Sequence, residues 1–341
     1  MVVITGGGTG GHLAIARSFC KQLNELNRSC IFIGSTSGQD KMWFENDENF
    51  AARYFLQSSG VVNKQGLAKI FSLFNIIKSA LKCREIFRQN GVKAVISVGG
   101  YSAAPAALAA LFCKIPLFIH EQNAKIGRLN ELLRPFAKGF YSSYEKPFWA
   151  YPVGNKFFDR QKERVELKTI LFLGGSQGAK AINELAIKLA TTLKEKQIKI
   201  IHQCGKNSLE NLRLEYKNIG FKESELELFD FSSEIEKKMY DADLCISRAG
   251  ASSLWELSAN ALPCIFVPYP HAAGNHQFHN AKFLLDRNLC QISLQKDGEA
   301  DVDEILKLIQ NYEINRVSKG LMQVLSKDKT SDIIREILST L

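Results

Sequence analysis

Val2-Val3-Ile4-Thr5 runs straight into Gly6-Gly7-Gly8-Thr9-Gly10-Gly11-His12, and the pattern returns where Ile170-Leu171-Phe172-Leu173 meets Gly174-Gly175-Ser176-Gln177-Gly178-Ala179. Each stretch reads as a short buried strand, a glycine-rich turn and the start of a helix. Glycines let backbone approach a ligand closely, and a helix N-terminus offers free N–H groups and partial positive charge that suit phosphates. Outward from these two points, β-branched or aromatic runs alternate with segments of helical period. In the first half the strands are expected at 2–5, 30–34, 53–56, 94–98, 117–120, 139–142 and 150–153. In the second they are expected at 169–173, 199–203, 226–229, 244–247, 264–267 and 291–294. Continuous apolar strands separated by helices predict parallel sheets covered on both faces. The fold class is therefore α/β, with two Rossmann-like domains facing across a cleft and both glycine loops at the carboxyl ends of their strands. The charged, non-periodic stretch Asn155–Lys168 reads as the linker, which gives domains of 1–154 and 155–327. An amphipathic helix near 328–341 remains to pack back onto the first domain.

With 341 residues, 45% hydrophobic, the chain has material for two cores, and 44 Lys and Arg against 35 Asp and Glu give a net charge of +9. The charge is dispersed and lacks interleaved aromatics, which argues against a nucleic-acid-binding module. The 8 cysteines form no C-x-x-C pair and sit in apolar runs, as buried reduced thiols do. No signal peptide is read at the N-terminus, and the uncharged run Ala94–Cys113 is cut by Gly99, Gly100 and Pro105 rather than spanning a membrane. A cytosolic location is expected.

Several loops that follow strands carry chemistry. A nicotinamide-type reading of Gly6–His12 is disfavoured, because the second strand ends Phe32-Ile33-Gly34-Ser35-Thr36 with no acid to hold an adenosine ribose. His12, on the first helical turn, is placed as a general base. Tyr101 lies in the glycine turn Ser97–Pro105, and His120-Glu121-Gln122-Asn123 closes another strand. Ser252 and Ser253 open a helix whose Glu256 can accept both hydroxyls of a ribose. His276 and Gln277 begin a further helix. Asp241-Ala242-Asp243 and Asp301-Val302-Asp303 have the spacing of a metal-holding pair but read as structural. No metal and no cofactor are expected.

The motifs GGGTGGHL, SVGGYSAAPAALAA, HEQNAKIGRLN, LGGSQGAKAIN and SRAGASSLWELSANALPCIFVPYPHAAGNHQFHNA, in this order over Val2 to Leu285, resemble the MurG family. These are bacterial lipid-linked N-acetylglucosamine transferases of peptidoglycan synthesis. The resemblance implies a GT-B fold and inverting, metal-independent transfer of N-acetylglucosamine from UDP-N-acetylglucosamine to the muramyl 4-hydroxyl of lipid I, giving lipid II. It implies donor contacts at Thr9, Gly10, Gly11, Asn123, Ser176, Gln177, Gly178, Phe231, Ser232, Ser252, Ser253, Glu256, His276 and Gln277. It makes His12 the base and places His120, Glu121 and Tyr101 on the acceptor side. It further implies a peripheral protein on the cytoplasmic face of the bacterial inner membrane, with cell-wall synthesis proteins as partners. Phe158 stands where the family commonly has an arginine, so Lys156 or Arg248 becomes the candidate cation for the diphosphate. His276 replaces a common glutamine. The run 64–88 mixes Lys64, Lys69, Lys78, Lys82, Arg84 and Arg88 with Leu67, Ile70, Phe71, Leu73, Phe74, Ile76 and Ile77. It reads as an interfacial helix on anionic lipid, with contact at Ile70, Phe71, Phe74, Lys69 and Lys78. A transferase acting on another lipid acceptor and a UDP-sugar 2-epimerase are the alternatives.

Overall fold

The computed structural model describes residues 1–58, 60, 66–175 and 178–341, without the side chains of 67–69. Ser176, Gln177, Lys64 and the side chains of Leu67 and Lys69 therefore lie outside the described residues. The chain divides into two compact units, Met1–Pro152 with Asp328–Leu341, and Val153–Lys327. The first contains strands β1 (Val2–Thr5), β2 (Cys30–Ser35), β3 (Ala52–Leu56), β4 (Ala94–Ser97), β5 (Leu117–Glu121) and β6 (Gly139–Ser142). The second contains β7 (Thr169–Leu173), β8 (Lys199–Gln203), β9 (Leu226–Phe229), β10 (Leu244–Ser247), β11 (Cys264–Phe266) and β12 (Gln291–Ile292).

Both sheets are parallel throughout, in the orders β3-β2-β1-β4-β5-β6 and β12-β11-β10-β7-β8-β9. Counted within each unit, the two orders are the same, 3-2-1-4-5-6. The order reverses between β1 and β4 and between β7 and β10, so the loops after those four strands border each sheet's switch point. The fully buried VVIT and TILFL strands need cover on both faces. The helix Gly10–Glu25 buries Leu13, Ile15, Ala16, Phe19, Cys20 and Leu23, and the helix Lys180–Glu195 buries Ile182, Leu185, Ala186, Leu189 and Leu193. Both show the spacing of three and four that lines one helical face. All eight cysteines are free thiols, and only Cys113 is partly exposed.

Two expected strands differ. Residues 150–153 form no strand: beside the edge strand β6, Trp149 N–H donates to the Ser142 carbonyl at 2.9 Å and pairing stops. Tyr151 and Val153 are buried without ladder bonds, and Pro152 has no N–H to give one. The last strand shortens to Gln291–Ile292 at the edge of its sheet, with Leu294 exposed.

Asn155–Lys168, expected as a linker, is folded into the second unit and held there by a buried cation. Arg164 is 1% exposed and donates to the carbonyls of Ala242 (3.1 Å), Met239 (2.8 Å), Lys162 (2.9 Å) and Asn260, and to Asn260 Oδ1 (2.6 Å). Ala242 and Asn260 cap the C-termini of the helices Ile235–Asp241 and Ala251–Ala259, the negative ends of their dipoles. Burial lowers the guanidinium to about 10, opposed by Asp243 and Tyr240, so it stays charged at neutral pH. One acid of each D-x-D pair has structural work. Asp243 accepts from the N–H groups of Lys168 and Thr169, and Asp301 caps the helix Val302–Gln310 through Glu304 N–H.

The chain returns to the first unit at its end. The helix Asp332–Ser339 buries Ile333, Ile334 and Ile337 there, each contributing about 1.5–3 kcal/mol. Gln22 donates to the Thr330 carbonyl at 3.2 Å, and Lys138 to that of Thr340 at 2.6 Å. Replacing Arg164 with Met strips several buried carbonyls of their donor at once. The expected loss is about 3–5 kcal/mol, read as a lower urea midpoint of the Trp255 fluorescence transition.

Candidate functional site

In the first unit the loops after β1 and β4 meet at His12, and those after β2 and β5 back them through Asp40 and Asn130. Its Nδ1 lies 3.0 Å from Thr9 Oγ1, so the exposed threonine fixes one edge of the ring. The other edge lies against the β4 loop: a Cβ at Gly99 would sit 3.3 Å from His12 Nε2 and Cδ2, and Gly99 adopts φ +90°. A side chain there would meet the imidazole and strain the backbone together. Tyr101, partly buried, packs its ring on Gly8, and burial together with the nearby Asp40 carboxylate raises its phenol.

The HEQN segment is arranged differently from the expectation. His120, expected to line an acceptor surface, has no exposure. Its ring meets Phe19 and Tyr151 edge-on, at centroid distances of 5.4 and 5.8 Å. Neither ring nitrogen has a hydrogen-bond partner among the described residues, and burial, reinforced by His12, lowers the group to about 3. It is a neutral packing histidine, placed inward because β5 continues through Glu121 and is buried along its whole length. Glu121 is likewise 4% exposed. Its Oε1 accepts from Asn123 N–H at 2.9 Å, and its Oε2 accepts from Gly127 N–H at 2.9 Å and from Asn130 Nδ2 at 2.8 Å. Burial raises its carboxyl, and these donors pull the other way. Glu121 therefore shapes the loop that carries Asn123 rather than facing a ligand itself.

Sequence reasoning missed Asp40 and Asn130. Asp40 opens the short helix Asp40–Phe44 beyond β2 and is fully buried. Its Oδ1 accepts from Gly8 N–H at 2.5 Å and its Oδ2 from Ser35 N–H at 2.8 Å. The signal was an acid just past a glycine (Gly38-Gln39-Asp40) on the loop where a ribose-binding acid was sought. Asn130 links Glu121 to the floor beneath His12, since its Nδ2 lies 3.2 Å from the same Gly99 Cβ position.

In the second unit a cavity of about 610 Å³ opens beyond the carboxyl ends of β7, β10, β11 and β12. Its walls include Gly174, Gly178, Arg248, Tyr269, Gln277 and Gln295. Of the expected donor contacts it gathers Gly178 and Gln277. The Gln277 amide is oriented by Tyr269 N–H, which donates to its Oε1 at 2.8 Å. Arg248 donates to the carbonyls of Val267 (2.9 Å) and Pro268 (3.2 Å) and to Gln295 Oε1, with Tyr269 5.4 Å from its guanidinium. Lys156 forms an ion pair with Glu236 (2.7 Å) and donates to the Ser233 carbonyl (3.0 Å), so it ties down the loop after β9. That loop carries exposed Phe231 and half-buried Ser232, whose hydroxyl accepts from Glu234 N–H. Ser252, Ser253 and Glu256, all partly buried, lie on the helix Ala251–Ala259 and outside the cavity walls. His276 turns its Nδ1 to the Ala273 carbonyl at 2.9 Å. Burial lifts the Glu256 carboxyl to about 7, opposed by Lys156 and reinforced by Glu236.

Paired Rossmann-like units with glycine-rich loops at the strand ends are the architecture of the GT-B fold, and the family matches place the chain among the glycosyltransferases that have it. The sequence matches the glycosyltransferase family 28 N-terminal domain over residues 2–142 and its C-terminal domain over 169–334. A Campylobacter fetus protein named UDP-N-acetylglucosamine--N-acetylmuramyl-(pentapeptide) pyrophosphoryl-undecaprenol N-acetylglucosamine transferase is 54% identical, with 99% of both chains covered. A Sulfurovum protein of the same name is 47% identical over 97% of this chain and 96% of its own. The crystal structure of Acinetobacter baumannii MurG superposes with a TM-score of 0.79 at 29% identity, covering 99% of each chain. The chain belongs to the MurG family of glycosyltransferase family 28.

The Glu256 environment has a definite pH signature. Below pH 4.5 the carboxyl is protonated in both folded and unfolded chains and costs nothing. As pH rises from there to about 7, the unfolded chain ionises first and the folded unit loses stability; above 7 the penalty is constant. Glu256→Gln is therefore expected to match the wild type at pH 4 and exceed it by up to about 3 kcal/mol at pH 8, measured by urea midpoints.

Proposed function

We propose that this protein transfers N-acetylglucosamine from UDP-N-acetylglucosamine to the muramyl 4-hydroxyl of undecaprenyl-pyrophosphoryl-N-acetylmuramyl-pentapeptide, lipid I, with inversion and release of UDP. The observation that carries this reading is the 54% identity, over 99% of both chains, to a protein named for that transfer. The site geometry supports a division of labour. As the bond to UDP breaks, negative charge grows on the diphosphate. The N-terminus of the helix Lys180–Glu195 offers N–H groups and a positive dipole end to meet it. The Glu256 carboxyl accepts the ribose hydroxyls, and the amide of Gln277, held by Tyr269, binds the sugar. The acceptor hydroxyl gives its proton to His12, whose ring is fixed by Thr9 and Gly99. Asn123 lies on the loop shaped by Glu121, in the same unit as His12.

The second part of the reading is attachment to the cytoplasmic face of the bacterial membrane. No helix among the described residues is long and apolar enough to cross one. The helix Gly66–Gln89 instead exposes Ile70, Phe71, Leu73, Phe74, Ile77 and Leu81, each between 45% and 67%, alongside exposed Lys78, Lys82, Arg84 and Arg88. Ile76 turns inward and is 6% exposed. Large apolar side chains standing in water beside cations suit the headgroup region of an anionic bilayer, where an undecaprenyl-linked acceptor resides.

Incubation with UDP-N-acetylglucosamine and a short-chain lipid I analogue is expected to give a disaccharide product and UDP, both dependent on acceptor. UDP release or sugar epimerisation without acceptor would overturn the reading. His12→Ala is expected to lower kcat by about 10²–10⁴-fold with the donor KM nearly unchanged. Replacing Phe71 and Phe74 together with serine is expected to abolish co-sedimentation with phosphatidylglycerol vesicles while the circular dichroism spectrum stays the same. Undiminished binding would reject the membrane face.

A further inference from the structure

Besides Glu121, the described residues of the first unit include a buried carboxylate that the proposed chemistry does not use. Asp40 is fully buried, and both of its oxygens are spent on backbone N–H groups from different loops: Gly8, between β1 and the helix that bears His12, and Ser35, at the end of β2. The loop closes on the carboxylate so tightly that any Cβ at Gly7 would collide with it. Gly8 immediately precedes Thr9, whose hydroxyl meets His12 Nδ1. A side chain that fixes the Gly8 N–H thus fixes the approach of the next four residues. A capping hydrogen bond does not account for this arrangement, because Asp40 satisfies donors outside its own helix.

We propose that Asp40 is a positioning residue for His12: it clamps the glycine loop to the β2 edge and thereby sets where the Thr9–His12 pair is presented to the acceptor hydroxyl. This rests on the reading of His12 as the base. Asp40 touches neither the imidazole nor a reacting atom. Its effect is geometric, and a carboxylate suits it because two convergent N–H donors require an acceptor on both arms. Burial pushes its carboxyl upward, while the Ser35 and Gly8 N–H groups, the Ser102 hydroxyl and its own N–H pull it the other way. An amide in the same space sets an NH2 against one of the two donors.

The test uses the full-length protein with Asp40→Asn, and Asp40→Ser as a second variant that leaves space in place of a repelling amide. With UDP-N-acetylglucosamine and the lipid I analogue, kcat is expected to fall about 10- to 100-fold, the cost of a misplaced catalytic group, with the donor KM unchanged. In a His12→Ala background, adding Asp40→Asn is expected to change kcat no further, since residues acting through one another are not additive. Independently of activity, the imidazole signals of His12 in nitrogen-proton NMR are expected to shift and titrate differently in the variants, while those of His276 and His279 stay in place. An equal fold-loss with and without His12, or unaltered His12 signals in both variants, would overturn the proposal. Should the wild type transfer no sugar, the functional reading fails, while the NMR comparison still decides whether Asp40 sets the position of His12.

Discussion

Backbone that leaves a parallel sheet at its carboxyl edge loses its ladder partners, and where it remains buried each N–H and C=O must find another. This constraint organises the functional end of the first unit. Asp40 supplies acceptors to Gly8 and Ser35, and Glu121 supplies them to Asn123 and Gly127. Neither carboxylate needs a counter-cation, because two or three N–H groups converge on each. The second unit shows the same logic with the sign reversed at the opposite ends of its elements. There Arg164 gathers carbonyls where two helices finish. The loops that bear Thr9 and Asn123 are thus held by carboxyl acceptors, with Tyr101 packed on Gly8 beside the first, and they can contain glycine without losing definition.

The division into two sheets was legible because buried parallel strands are nearly pure runs of apolar residues. VVIT, CIFIGS, TILFL and LCIS have no other reading at their length. The errors fall where burial is achieved by other means. Tyr151 and Val153 are as apolar and as buried as strand residues but lie past the edge of a sheet, and only the ladder distinguishes the two cases. Asn155–Lys168 reads as a solvated connector by its charge, yet one of those charges, Arg164, is among the most deeply buried side chains in the chain.

The site was legible at the level of loops and less so at the level of side chains. His12, Gln277 and Glu256 could be singled out by type and place. His120 and Glu121 look alike in sequence, a polar pair closing a strand, and both point into protein. One packs as a neutral ring and the other organises a loop. Asp40 escaped notice because its partners are backbone groups 5 and 32 residues away, which leave no pattern in residue type.

The return of the helix Asp332–Ser339 to the first unit makes residues 153–327 an insertion within it. On the ribosome, Ile333, Ile334 and Ile337 emerge only after the whole inserted unit has been made. Until then the flank of the helix Gly10–Glu25 around Gln22 waits without its cover. The first unit is therefore a discontinuous one, sealed only when the last residues of the chain have joined it.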